Sequence, residues 1–190
     1  ISTKINIIKN LIPKFDNIVI VGGMANNVLK YKGCNIGKSI HEENCDQIIE
    51  DIFSLSEKEN CKIIYPKDVI VSKDLNGLPK IKELNDVSRD ELILDIGPKS
   101  IKNIGNIINE SKTILWNGPA GYFENPHFAK GSFEIAKKII KKNKDHSIYS
   151  VAGGGDTVAL LNNLDAINNF NFVSTAGGAF LEYLEGKELP

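Results

Sequence analysis

Apolar and polar positions along the chain follow two rhythms, one helical and one extended. Ile5, Ile8, Leu11 and Ile12 recur at helical spacing and predict an amphipathic helix over residues 2–12. Ile18-Val19-Ile20-Val21 is a continuous apolar run that stops at Gly22-Gly23, the pattern of a buried parallel strand followed by a tight turn. Residues 24–32 return to helical spacing, and Ile48, Ile49, Ile52 and Phe53 among acids predict a helix over 43–59. Lys62–Tyr65 and Asp68–Val71 are strand-like and separated by Pro66. The polar stretch Ser72–Arg89, with its Asn-Gly pair, reads as loops with a short hairpin.

The rhythm then becomes regular. Strands are predicted at Leu92–Ile96, Thr113–Trp116, Ser147–Val151 and Asn171–Ser174. Helices are predicted at Lys99–Asn109, Phe128–Lys142, Gly155–Asn163 and Gly177–Leu184, with a Gly/Pro-rich loop over Asn117–Asn125. Strands that alternate with helices across short links predict an α/β fold. The expected architecture is a three-layer, Rossmann-like domain over residues 1–190, with a mainly parallel β-sheet and helices on both faces.

Composition narrows the classes without choosing one. The chain has 190 residues, 42% of them apolar and 25% charged, and a net charge of -1, which excludes disorder and gives no polybasic surface for nucleic acid or membrane. Arg89 is the only Arg. No apolar run reaches the roughly 18 residues of a membrane-spanning helix. The start at Ile1 lacks a Met, a basic n-region and an apolar h-region, so it reads as a processed or cut end rather than a signal peptide. Cys34, Cys45 and Cys61 form no CxxC and pair with no His cluster, which predicts free thiols in a reducing cytoplasm. The sequon Asn109-Glu110-Ser111 reads as a chance match without a secretory signal.

The glycines carry the first functional signal. Gly22-Gly23, Gly118/Gly121, Gly153-Gly154-Gly155 and Gly177-Gly178 each follow a predicted strand. In an open parallel sheet such turns share the carboxyl edge, where ligands bind. Glycine lets backbone N–H groups approach an anion closely, and helix N-termini add positive potential there. Several such turns on one edge point to a phosphorylated ligand. The alternative is that glycine only permits tight strand–helix packing.

Standard nucleotide and hydrolase motifs are absent. Gly33-Cys34-Asn35-Ile36-Gly37-Lys38-Ser39 has three residues between its glycines where a P-loop needs four, so Lys38-Ser39 reads as a surface turn. The chain has no G-x-G-x-x-G, no H-R-D or D-F-G, and no G-x-S-x-G. Asp156 after Gly155 is either a helix cap or a carboxylate for Mg2+, and Thr157 adds a hydroxyl for a phosphate oxygen. Asn117 ends a strand with an amide. Glu124 closes the next loop as either a solvated charge or an acceptor for ribose hydroxyls.

Taken in order, these segments resemble the phosphoglycerate kinase family, specifically its C-terminal, nucleotide-binding domain. The matching residues are Ser2-Thr3-Lys4, Ile20-Val21-Gly22-Gly23-Met24-Ala25, Leu94-Asp95-Ile96-Gly97-Pro98-Lys99 and the run from Trp116 to Glu124. Phe128-Ala129-Lys130-Gly131, Gly153-Gly154-Gly155-Asp156-Thr157, Ser174-Thr175-Ala176-Gly177-Gly178-Ala179 and the end through Pro190 also match. The resemblance implies that Lys4 reaches the transferring phosphoryl group and that Gly22 and Gly23 lie beside the adenine. It implies that Asn117 contacts the phosphates, with Pro119 in the same nucleotide-binding loop, and that Glu124 holds the ribose. Gly154, Gly155 and Thr157 would cradle the phosphates, Asp156 would hold Mg2+, and the helix opening at Gly177-Gly178 would aim its N-terminus at the transferring group.

Two positions depart from the family. Ala176 stands where a first glycine is usual, and Ile93 precedes Leu94 where a glycine is expected, close to the adenine. The implied ligands are ADP or ATP with Mg2+. The implied reaction moves phosphate between 1,3-bisphosphoglycerate and ADP in glycolysis, in a cytoplasmic monomer. The phosphoglycerate would bind through an N-terminal domain absent here, so this chain alone is expected to be inactive or nearly so. A non-enzymatic nucleotide-binding module of similar fold is the alternative.

Overall fold

A computed structural model describes residues 2–176 and Phe180, with side chains from Lys4 onward. The helix predicted at Gly177–Leu184 lies outside the described residues. Helix α1 covers Ser2–Leu11, β1 Asn17–Val19, α2 Gly23–Tyr31, α3 Asp46–Lys58 and β2 Lys62–Ile64. Next come β3 (Asp68–Ser72), β4 (Lys80–Glu83), β5 (Leu92–Ile96), α4 (Pro98–Glu110) and β6 (Thr113–Asn117). The described elements end with α5 (Lys130–Lys144), β7 (Tyr149–Gly153), α6 (Gly155–Asn163) and β8 (Phe172–Ser174).

The order is the alternating α/β pattern of a Rossmann-like fold, with the strands divided among three ladders. β1 pairs with β2 in parallel, and β6, β7 and β8 form a parallel ladder in that order. Helices α5 and α6 are the crossovers that a parallel ladder requires. β3 is antiparallel to both β4 and β5, and the polar stretch holds one strand, β4, which pairs back onto β3 instead of forming a hairpin of its own. β1 and β6 share no ladder. Strand β7 begins two residues later than its apolar run predicts, because Tyr149 is the partner of Thr113.

Apolar faces meet in three clusters. Ile96, Ile104, Trp116, Ile139, Leu160 and Leu161 anchor the cluster between α4, α5, α6 and the β6–β8 ladder. Ile5, Ile8, Ile12, Val28, Ile49 and Ile52 join α1, α2 and α3. Leu29, Ile36, Val69, Val71 and Val87 fill the space beside the antiparallel ladder. Cys34, Cys45 and Cys61 are free thiols, the last two buried. The Lys38 end of the predicted surface turn is exposed, but Ser39 is buried. Its Oγ donates to the Ile36 carbonyl and accepts from Ile93 N at 2.8 Å, which ties residues 36–39 to β5.

Two buried carboxylates frame β5. Asp68 caps α4 from another strand, since its oxygens accept from Lys99 N at 2.9 Å and Ser100 N at 2.8 Å. Asp95 accepts from Ile96 N and from Gly131 N, each at 2.8 Å, and so fastens the first turn of α5 to β5. Burial pushes the Asp95 carboxyl up from the ordinary carboxylate value to about 6, against the pull of the Gly131 and Ile96 N–H groups.

The sign of that shift makes a prediction. A carboxyl whose folded pKa is raised contributes most stability below its unfolded value near 4, and loses it as pH rises through about 6. Between pH 4 and 7 the native protein is therefore expected to lose stability on the order of 2 kcal/mol that Asp95→Asn does not lose. Urea midpoints of both proteins across that range check it, and parallel pH profiles would refute it.

Candidate nucleotide site at the carboxyl strand edge

The parallel ladder brings the expected site residues to one edge. Asn117 is the register partner of Gly153, and Gly153 of Ser174, so the last residues of β6, β7 and β8 stand side by side. Gly154 is the N-cap of α6 with φ 92, a left-handed conformation that a side chain strains. A Cβ on Gly154 would also stand 3.0 Å from Asn117 Nδ2. Gly22 caps α2 in the same way with φ 64, and a Cβ there would meet the Pro119 carbonyl oxygen at 3.0 Å. The turn after β1 thus lies against the loop after β6.

A cleft runs along the facing, unpaired edges of β1 and β6, from Asp16 and Lys112 at one end to Gly22 and Asn117 at the carboxyl end. Lys4, Gly22, Gly23, Asn117, Pro119 and Asp156 all line it. Lys4 is exposed in the first turn of α1. Asp156 is not the N-cap: it sits in the first turn of α6 after Gly154 and Gly155, exposed to solvent, and makes no capping hydrogen bond. Thr157 is fully buried, and its Oγ1 accepts from Gly118 N at 2.7 Å, tying α6 to the loop after β6. Glu124 is exposed and is not among the lining residues. Gly177 and Gly178 lie outside the described residues.

Among the described residues, the buried side-chain polar atoms lacking a hydrogen-bond partner are Asn117 Nδ2 and Asn26 Oδ1. Both residues line this cleft. An orphaned buried polar atom costs roughly 1–3 kcal/mol. Asn117 offers a donor beside the N-terminus of α6, which suits an anionic oxygen. Among the described residues no group of three or more His, Cys, Asp or Glu gathers to hold a metal. The lone Asp156 carboxylate fits Mg2+, which takes one or two carboxylates and completes its shell with substrate phosphates and water.

Sequence reasoning missed four lining residues. Asn26 follows the Gly22–Ala25 match directly, yet its half-satisfied amide is something only packing reveals. Ile40 and Leu75 line the cavity from segments read as loops. Asp95 lies inside a matched segment, and its only outward signal is an acid in an apolar strand. The loop after β6 is pressed onto that strand, since Tyr122 N donates to the Leu94 carbonyl at 2.7 Å. A Cβ at Gly121 would stand 2.4 Å from the same carbonyl oxygen.

The fold and the glycine-lined edge define the class, a Rossmann-like α/β protein with a candidate anion site at the carboxyl ends of its parallel strands. The sequence pattern of the family described as phosphoglycerate kinase matches residues 1–187, and the chain belongs to that family. It is 46% identical over its whole length to the phosphoglycerate kinase of Zymomonas mobilis and 42% identical to that of Novosphingobium aromaticivorans. The chain spans about half of these curated relatives, 48% and 49% of their lengths. The phosphoglycerate kinase structure from Coxiella burnetii superposes with a TM-score of 0.94 at 38% identity, over all of this chain and 48% of that one. The Pyrococcus horikoshii enzyme gives a TM-score of 0.78 at 26% identity, over 47% of its length. Among the described residues no helix is long and apolar enough to cross a membrane.

Proposed function

We propose that this chain is the nucleotide-binding half of a phosphoglycerate kinase. It holds MgADP or MgATP for reversible phosphoryl transfer between 1,3-bisphosphoglycerate and ADP, giving 3-phosphoglycerate and ATP in glycolysis. The observation that carries this reading is the unpartnered Asn117 donor, buried in a cavity beside the N-terminus of α6. Gly22 and Gly23 leave room for the base, and Gly154 and Gly155 leave room for phosphates at the start of α6. Thr157 supports that cradle through Gly118 N. Glu124 takes the ribose from the end of the loop.

The chemistry asks little of acids and bases. The acceptor carboxylate of 3-phosphoglycerate is already ionised at neutral pH, so no general base is required. His41, His127 and His146 line no part of the cavity. Catalysis then rests on in-line positioning and charge stabilisation. Lys4 places an ammonium at the transferring phosphoryl group. Asp156, with the phosphates of the nucleotide, would hold Mg2+, which would supply charge neutralisation at the transferring group. The phosphoglycerate binds on the other half of the enzyme, and closure of the two halves expels water. By itself this chain binds nucleotide and transfers phosphate at no useful rate. Its setting is a cytoplasmic monomer without nucleic-acid or membrane partners.

Thermal unfolding with MgADP, MgATP and NAD tests the ligand class. MgADP at about 100 times its Kd is expected to stabilise the chain by about 2.7 kcal/mol, whereas NAD gives no shift. Protection by NAD and none by MgADP would overturn the reading.

A further inference from the structure

We propose that Asn76-Gly77 is a site of spontaneous deamidation, and that the fold spares the other Asn-Gly pair of the chain, Asn117-Gly118, from the same reaction. The inference stands on the turn after β3 and does not depend on which ligand the cleft takes.

Asn-Gly is the reactive order because glycine carries no Cβ to keep its nitrogen from the preceding side chain. The glycine nitrogen gives up its proton to water and attacks Cγ of the asparagine. A C–N bond forms, the Cγ–Nδ2 bond breaks, and ammonia leaves with a proton returned by water. Water then opens the cyclic imide at either carbonyl, giving aspartate or isoaspartate. The reaction needs water, a side-chain amide free to turn onto its own chain, and a glycine N–H that nothing holds firmly.

These conditions are met at Asn76. It is exposed in the turn 73–77 that follows β3. Its backbone N donates to Asp74 Oδ1 at 2.9 Å, while among the described residues no hydrogen bond holds its side chain. Gly77 N makes a long bond of 3.3 Å to the Asp74 carbonyl. Glycine is also required at 77, since a Cβ there would stand 2.3 Å from the buried Ser72 Oγ. The reactive order is therefore built into the turn.

Asn117 meets neither structural condition. It is the last residue of β6, paired with Gly153, and its Nδ2 is buried. Gly118 N donates to the fully buried Thr157 Oγ1 at 2.7 Å, and the Gly118 carbonyl accepts from Trp116 Nε1 at 2.8 Å. Ring closure there first has to break these contacts, and such a local opening costs free energy that an exposed turn does not pay. The lesion falls instead beside a joint. Asn125 Nδ2, at the end of the loop after β6, donates to the Leu75 carbonyl at 2.8 Å. Isoaspartate at position 76 lengthens the backbone next to that bond and adds a negative charge near Asp74.

Peptide mapping by mass spectrometry tests this on the wild-type chain, stored for several weeks at mildly alkaline pH in buffer and in guanidinium chloride. In buffer, Asn76 is expected to convert to aspartate and isoaspartate at least about tenfold faster than Asn117. In guanidinium chloride the two are expected to convert within about threefold of each other. Equal rates in buffer, or an Asn76 that stays an amide there, would overturn the proposal. So would a tenfold gap that persists in guanidinium chloride, because the sparing would then lie in the local sequence and not in the fold.

Discussion

Replacing Asp68 by Ala is expected to lower the stability of the fold by about 3–4 kcal/mol. The Asp68 carboxylate is almost fully buried and meets the start of α4 at three points. Oδ2 accepts from Lys99 N at 2.9 Å, and Oδ1 accepts from Ser100 N at 2.8 Å and from Ser100 Oγ at 2.7 Å. Its backbone oxygen also accepts from Gly97 N at 2.9 Å. Gly97, the helix N-cap, has no side chain to do this work, and a Cβ there would stand 2.3 Å from the Asp68 carboxyl carbon. Truncation leaves two backbone donors without partners and removes a negative charge from a helix N-terminus, while the Ser100 hydroxyl keeps the Asp68 backbone oxygen at 2.9 Å. Asp68→Asn keeps the shape and one acceptor but sets an NH2 against an N–H, so about half the loss is expected. Urea unfolding of the three proteins checks this, and a loss below 1 kcal/mol for the Ala variant would refute it. The exposed Lys99–Glu83 ion pair at the same helix end contributes little by comparison.

Much of the frame was legible because it follows local rules. The run Leu92–Ile96 was read as a strand on apolar continuity alone and is β5 over the same residues. Helix α6 begins and ends where the glycine turn and the apolar spacing placed it, at Gly155 and Asn163. What was not legible depends on partners remote in sequence. Asp68 finds Ser100 across 32 positions, and Asp95 finds Gly131 across 36, and no periodicity distinguishes a buried acid with such a partner from a solvated one. The same holds for the division of the strands into three ladders, which is a matter of which edges meet rather than of strand propensity. Within the site, the glycine turns announced the edge, and the register of β6, β7 and β8 set their ends together. The half-satisfied Asn26 amide had no signature of its own, because Asn27 beside it is the same residue type with every polar atom paired.

Asn117→Leu is expected to weaken MgADP binding at least tenfold while leaving stability unchanged or slightly raised. The two effects have opposite causes. Asn117 Nδ2 is buried without a partner, so the free protein carries its desolvation penalty, and an apolar side chain of similar size relieves it. A hydrogen bond from that amide to a phosphate oxygen is charge-assisted and contributes roughly 1.5–3 kcal/mol, which is a tenfold to hundredfold change in affinity. The position allows little else, because Gly154 lies so close that a Cβ there would stand 3.0 Å from Nδ2. A residue kept for packing would show the reverse pattern, with stability lost and affinity following it.

Titration calorimetry of MgADP into the wild-type chain and Asn117→Leu, with melting curves of both, tests most directly whether the carboxyl end of the cleft between β1 and β6 holds the nucleotide. The expected result is affinity lower by tenfold or more in the variant, with a melting temperature no lower than that of the wild type. Equal affinity in the two proteins would contradict it.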